Sequence, residues 1–208
     1  MPVPQMPDPP LPTRRAAVAA LALVLAGCGG GSVPPDVYYR LNAPADVALR
    51  AGGPMAGTVD VAPFRAEGLL NDRAIVYRTA ADTFAGYSYH FWWAAPGALL
   101  QQSLVDVLRR AKAFDIVATP ELRLDRTYEI VGRVRRLEHT GGAVAVEIEL
   151  LLRVARSGAP LLFKTYTQDV RTADPSVPAA VAAFSAAVNA IWAAFLADLA
   201  GVRAPQPA

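Results

Sequence analysis

Between Ala143 and Val154 the chain keeps a two-residue period: Val144, Val146, Ile148, Leu150, Leu152 and Val154 share one side, while Glu147, Glu149 and Arg153 share the other. A sustained two-residue period is a strand with one buried and one wet face, and it excludes a helix, whose period is about 3.6 residues. Two further strand-like stretches flank it, Thr127 to Leu137 and Leu161 to Gln168. They are joined to it by His139-Thr140-Gly141-Gly142 and Arg156-Ser157-Gly158-Ala159-Pro160. Connections this short and turn-rich join antiparallel neighbours. The expected centre of the fold is therefore a three-stranded antiparallel meander, with His139 in its first turn.

Before the meander, shorter strands are expected at Tyr38 to Leu41, Thr58 to Ala62, Ala74 to Arg78, Phe84 to Phe91 and Asp115 to Val117. Gly68 and Asn71-Asp72 form the connection between the second and third of these. The period changes between Ala98 and Ala111, where Leu100, Leu104, Val107, Leu108 and Ala111 recur at helical spacing behind Pro96. That is an amphipathic helix with proline in its first turn. A second helix is expected from Ser176 to Leu199, opened by Asp174-Pro175-Ser176 and closed at Gly201. No charge occurs from Val177 to Ala197, so a membrane span has to be weighed. The bulky residues Val181, Phe184, Val188, Ile191, Trp192, Phe195 and Leu199 fall on one stripe, with Ser185 and Asn189 to its side. A one-sided stripe favours a helix docked on the sheet. The fold class is thus α/β: a mixed sheet containing the meander, one amphipathic helix in mid-chain and a long C-terminal helix packed on the sheet.

The N-terminus carries a different kind of information. Arg14-Arg15 precedes an apolar run from Ala16 to Ala26, which ends in Leu25-Ala26-Gly27-Cys28. A basic pair, an apolar run too short to span a bilayer and small residues at a cleavage point make a bacterial lipoprotein signal. Cys28 is the only cysteine. Its thiol would take the lipid, which leaves none for a disulfide, so stability must come from packing. Residues 1–27 are read as the signal, 28–36 as a lipidated Gly/Ser/Pro-rich tether, 37–201 as the folded domain and 202–208 as a disordered tail. The Pro-rich stretch before Arg14 is longer than a signal needs, which leaves Met1 and Met6 both open as the start.

Charge and motif content narrow the function classes. Twenty Lys and Arg against eighteen Asp and Glu leave a formal charge of +2, with no basic run longer than two residues. Nucleic acid is not an expected partner. The two histidines, His90 and His139, accompany no G-x-S-x-G, H-E-x-x-H, phosphate-loop or dinucleotide fingerprint, and the carboxylates are scattered. No catalytic residue, metal site or cofactor is expected, and the protein is read as not an enzyme. Six rings fall within seven residues in Tyr87-Ser88-Tyr89-His90-Phe91-Trp92-Trp93. Alternation would send Tyr87, Tyr89, Phe91 and Trp93 into a core, yet two adjacent tryptophans on a strand cannot both point inward. Tyr89, Phe91, Trp92 and Trp93 are therefore the candidate partner-binding residues. Arg133, Arg135 and Arg136 could meet an acidic partner or lie beside Glu147 and Glu149 on a solvated sheet face.

The order of these motifs resembles the PqiC-like auxiliary lipoproteins of ABC-type transport. The resemblance rests on Cys28 in its lipobox, Tyr38-Tyr39-Arg40-Leu41, Val59-Asp60-Val61-Ala62-Pro63, Leu70-Asn71-Asp72-Arg73-Ala74-Ile75-Val76-Tyr77-Arg78, Trp93-Ala94-Ala95-Pro96 and the final Ala-rich helix. Ala95 stands where the family usually has an acidic residue. The resemblance implies an auxiliary component of an intermembrane lipid transport system. It would be lipid-anchored on the periplasmic face of the outer membrane, dock the MCE-domain subunit of an ABC transporter and support envelope integrity. By the sorting rule of Gram-negative lipoproteins, Gly29 in place of Asp points to the outer membrane. A ring of copies, that is a homo-oligomer, is also compatible with it. The alternative is an outer-membrane assembly lipoprotein that supports a β-barrel.

Overall fold

A computed structural model of the chain describes residues 33–42, 44, 47 and 53–203. Cys28, the expected signal, most of the tether and the last five residues lie outside the described residues. From Asp36 onward the chain is one compact unit.

Among the described residues, eight strands and two helices follow in the order β1 (Val37–Tyr39), β2 (Met55–Val61), β3 (Ala74–Ala80), β4 (Thr83–Trp92), α1 (Pro96–Arg110), β5 (Phe114–Ala118), β6 (Tyr128–His139), β7 (Ala143–Val154), β8 (Pro160–Arg171) and α2 (Val177–Ala200). Short 3-10 turns occupy Gly68–Asn71 and Pro120–Leu122. The strands form one mixed sheet, in which the expected meander β6-β7-β8 is antiparallel throughout.

The free edge of β6 is divided between two arms of the sheet. At its start Tyr128 to Ile130 pair in parallel with Val59 to Val61 of β2, which pairs in parallel with β5. At its end Glu138 and His139 pair with Val76 and Tyr77 of β3, beyond which lie β4 and then β1 at the edge. Arg65 fills the gap: its N–H donates to the Gly132 carbonyl at 2.8 Å and its carbonyl accepts from Val134 at 2.8 Å. Gly132 and Val134 of the long central strand thus keep backbone partners between the two arms, as burial requires.

The alternation of β7 is obeyed. Val144, Val146, Ile148, Leu150 and Leu152 are fully buried, each worth roughly 1.5–3 kcal/mol of apolar burial. Both helices cover this face. Helix α1 packs on β5 and β6, and α2 packs on β7 and β8. Pro96 sits in the first turn of α1, and Gln101, buried on it, donates to the Val61 carbonyl at 2.7 Å. The Ser176 Oγ caps α2 by accepting from Ala179, while Asp174 accepts from the Ser176 N–H at 2.8 Å. Helix α2 is long and apolar enough to cross a membrane by length and composition. Its expected stripe is nevertheless the floor of the core, with Phe184, Trp192, Phe195 and Leu199 fully buried.

Two expectations about single residues are corrected. Ser185 does not lie beside the buried stripe but within it: its Oγ donates to the Val181 carbonyl and accepts from the Asn42 N–H. His139 is not in a turn. It ends β6 and is 2% exposed, because β3 pairs with it there from the far arm of the sheet.

Candidate functional site

Three groups of side chains stand apart from the core. The first is an aromatic edge at the junction of β1 and β4. Strand β1 pairs in parallel with β4, aligning Tyr38 with Phe91 and Tyr39 with Trp92. Adjacent residues point to opposite faces, so each aligned pair shares one. On the inner face Trp92 packs edge-on against Phe184 of α2 at 5.4 Å. On the outer face Tyr38 stacks on Phe91 at 5.6 Å and meets Trp93 edge-on at 6.5 Å. Two cations complete that surface: the Arg40 guanidinium lies 4.6 Å from the Trp93 ring centre, and Arg73 lies 5.5 Å from that of Tyr38.

The expected partner-binding rings therefore separate. Trp93 is 57% exposed, Tyr89 36%, and Phe91 is half-buried beneath Tyr38. Trp92, expected among them, is only 1% exposed and belongs to the core. Tyr87, Tyr89, Phe91 and Trp93 do not fill the core as strict alternation would have them. Trp92 takes the inward place, so Phe91 and Trp93 point outward, and a bulge divides them from Tyr87: two steps along β3, from Ala74 to Val76, match five along β4, from Phe91 back to Gly86. Tyr38, Arg40 and Arg73 complete the edge. The Tyr-Tyr-Arg run beside the tether was the signal that could have found the first two.

The second group holds both histidines. Nδ1 of His90 lies 2.9 Å from the Tyr39 hydroxyl, and Nδ1 of His139 lies 2.9 Å from the Tyr87 hydroxyl. The Tyr87 ring bridges them, 6.0 Å from His90 and 6.3 Å from His139, with Tyr77 against it at 4.5 Å. Each imidazole thus faces a phenol and not a serine or thiol. Burial holds His139 below the ordinary imidazole range and raises the Tyr39 and Tyr87 phenols above theirs, Tyr77 adding to the latter. The Nε2 atom of His139 is buried without a hydrogen-bond partner.

The third group lines an open cleft of about 730 Å³ where β2, β5 and the loops after β5 and β7 meet. Its charged lining is Asp60, Arg123, Asp125, Arg126 and Arg156. Asp60 is 5% exposed and accepts from Arg126 at 2.9 Å, while its other oxygen is buried without a partner. Glu129 joins Arg126 to Arg153 behind it. The arginines weighed as an acidic-partner surface, Arg133, Arg135 and Arg136, lie on the solvated face of β6. Arg133 is in register with Glu149 and Arg136 with Glu147, although the Arg136 guanidinium bonds Glu138 at 3.2 Å. Among the described residues, no three His, Cys, Asp or Glu side chains cluster as a metal site would need.

Comparison with solved structures finds this architecture elsewhere. Protein XCC0632 from Xanthomonas campestris superposes with a TM-score of 0.68 at 18% identity, covering 77% of this chain and 92% of that one. A second crystal structure reaches 0.60 at 16% identity, over 81% and 98%. Likeness at such identities establishes the fold. The PelC dodecamer of Paraburkholderia phytofirmans gives 0.43 at 17% identity, over 74% and 92%. No curated protein sequence matches the chain. A family model does, over residues 39–195, from the end of β1 to the last turns of α2. The chain belongs to the family of ABC-type transport auxiliary lipoprotein components.

Proposed function

We propose that this protein is a non-catalytic module held by acylated Cys28 on the periplasmic face of the outer membrane. There it docks the MCE-domain subunit of an ABC-type lipid transport system, as one of several copies, and supports envelope integrity. One observation carries the reading: the family match begins at Tyr39, eleven residues after a cysteine in a complete lipobox. Two or more acyl chains hold a domain on a bilayer stably, whereas one does so only marginally. Confinement to one leaflet raises the effective concentration of any partner crossing the same space, so a modest docking surface suffices. Gly29, in the position where Asp would favour inner-membrane retention, supports the outer-membrane address.

The test is crosslinking in intact cells followed by purification. The expected result is capture of an MCE-domain subunit by the native protein and much less by Cys28→Ala, which loses the anchor. Acylated, membrane-attached protein that captures no MCE-domain subunit would overturn the docking role. Capture of a β-barrel in its place would make the protein an assembly factor.

A further inference from the structure

We infer that the aromatic edge formed by Tyr38, Phe91, Trp93, Arg40 and Arg73 rests on the headgroup layer of the membrane that anchors the protein. The inference rests on the lipid-anchor reading of Cys28 and adds to it an orientation and a contact surface.

The first argument is reach. Ten peptide units separate Cys28 from Tyr38. Fully extended they span at most about 36 Å, and as a Gly/Ser-rich coil they average roughly 17–19 Å. Since β1 is the first strand among the described residues and lies at the edge of the sheet, the tether joins the domain directly beside the outer ring surface.

The second argument is chemistry. Tyrosine and tryptophan collect at membrane–water interfaces because each has an apolar body and a polar tip. Here a tyrosine and a 57%-exposed tryptophan share one surface with a phenylalanine. Arg40 and Arg73 lie over the rings, and among the described residues neither makes an ion pair. A guanidinium held over a ring keeps its N–H edges free for phosphate oxygens, which it binds bidentately. A protein partner would equally welcome the rings; the shortness of the tether that joins the domain beside them is what favours the bilayer.

The three tryptophans make the contact measurable, since Trp92 and Trp192 are buried and Trp93 alone is exposed. The native acylated protein is reconstituted into phosphatidylethanolamine/phosphatidylglycerol vesicles. Some vesicles carry acyl chains brominated near the headgroup, and flotation and intact mass confirm attachment and acylation. The expected result is a blue shift of emission, quenching by the brominated lipid and loss of quenching by aqueous iodide, all absent in Trp93→Phe. The double variant Arg40→Glu/Arg73→Glu should still float but regain iodide quenching. Floating protein whose Trp93 stays open to iodide and is untouched by brominated lipid overturns the inference alone, and leaves the edge for a protein partner. Protein that is unacylated and does not float overturns the anchor reading, and the inference falls with it.

Discussion

The ring of Phe64 lies flat over Gly132, and a Cβ placed on that glycine would fall 2.5 Å from the ring carbons. Phe64 stands in the stretch that bridges the two arms of the sheet along β6. Its ring also meets Trp192 of α2 edge-on at 6.2 Å, and its N–H donates to the Gly97 carbonyl in the first turn of α1. One residue thus links β6 with both helices, its ring meeting β6 and α2 and its backbone α1, and the ring can lie there only because β6 presents no side chain at that point.

Gly132→Ala should therefore act by overpacking, since Trp192 backs the phenyl ring and the bond to Gly97 holds its backbone in place. The expected loss is about 1–3 kcal/mol, read as a lower urea midpoint with an unchanged slope. A midpoint within error of the native protein would mean that the ring moves freely, contrary to this account.

The Trp192 indole N–H donates to Ser103 Oγ at 2.9 Å, joining α2 to α1 inside the core. Trp192→Phe and Ser103→Ala should each destabilise the fold. Each leaves the other polar group buried without its partner, so the double variant should cost less than the sum. A coupling of about 0.5–1.5 kcal/mol is expected from a double-mutant cycle of denaturation midpoints. Strict additivity would show that the bond contributes nothing.

Much of this was legible in the sequence, and the exceptions have a common cause. The alternation of β7 and the stripe of α2 are local patterns that the core obeys, because each element meets it along one continuous face. The inward and outward rings of β4 could not be counted from the strand itself, since the bulge that sets their parity is defined by register with β3. His139 sits beside glycines that signal a turn, but it pairs with Tyr77 of β3 and its imidazole lies against the Tyr87 ring, contacts that only the long-range pairing brings together. The division of β6 between β2 and β3 is likewise a matter of long-range pairing. At the candidate site Trp93 was legible, whereas the cations over the rings come from just after β1 and just before β3.

Protonation of His139 gives a pH dependence with a definite sign. Its folded value is depressed by burial, so between the folded and unfolded values the unfolded chain holds the extra proton. Stability should then fall as pH drops through the unfolded value near about 6.5, and level off below the folded one. Denaturation midpoints at about pH 7.5 and 5.5 should differ, and His139→Gln should remove much of the difference. The shift at Asp198 acts elsewhere. Hydrogen bonds from Lys164 and Tyr166 lower it from 3.8, so the stability it provides is lost only in stronger acid. A slope between the two pH values unchanged in His139→Gln would assign it to another group.

Among the described residues the Asp60 carboxylate is the most deeply buried charge, 5% exposed with one oxygen bonded to Arg126 and the other without a partner. Arg126→Ala would leave that carboxylate without its cation in the wall of the cleft. Because the Arg126 side chain is itself 45% exposed, water screens the pair, and the expected cost is about 1–2 kcal/mol, not the larger figure for a fully buried ion pair. Asp60→Asn should soften the effect, since an amide tolerates the loss of a guanidinium far better than a carboxylate does. In the Asp60→Asn background, removing Arg126 should therefore cost measurably less. Thermal melts of the four proteins check this, and an equal cost of losing Arg126 in both backgrounds would show that Arg126 stabilises the fold through Glu129 or through packing and not through Asp60.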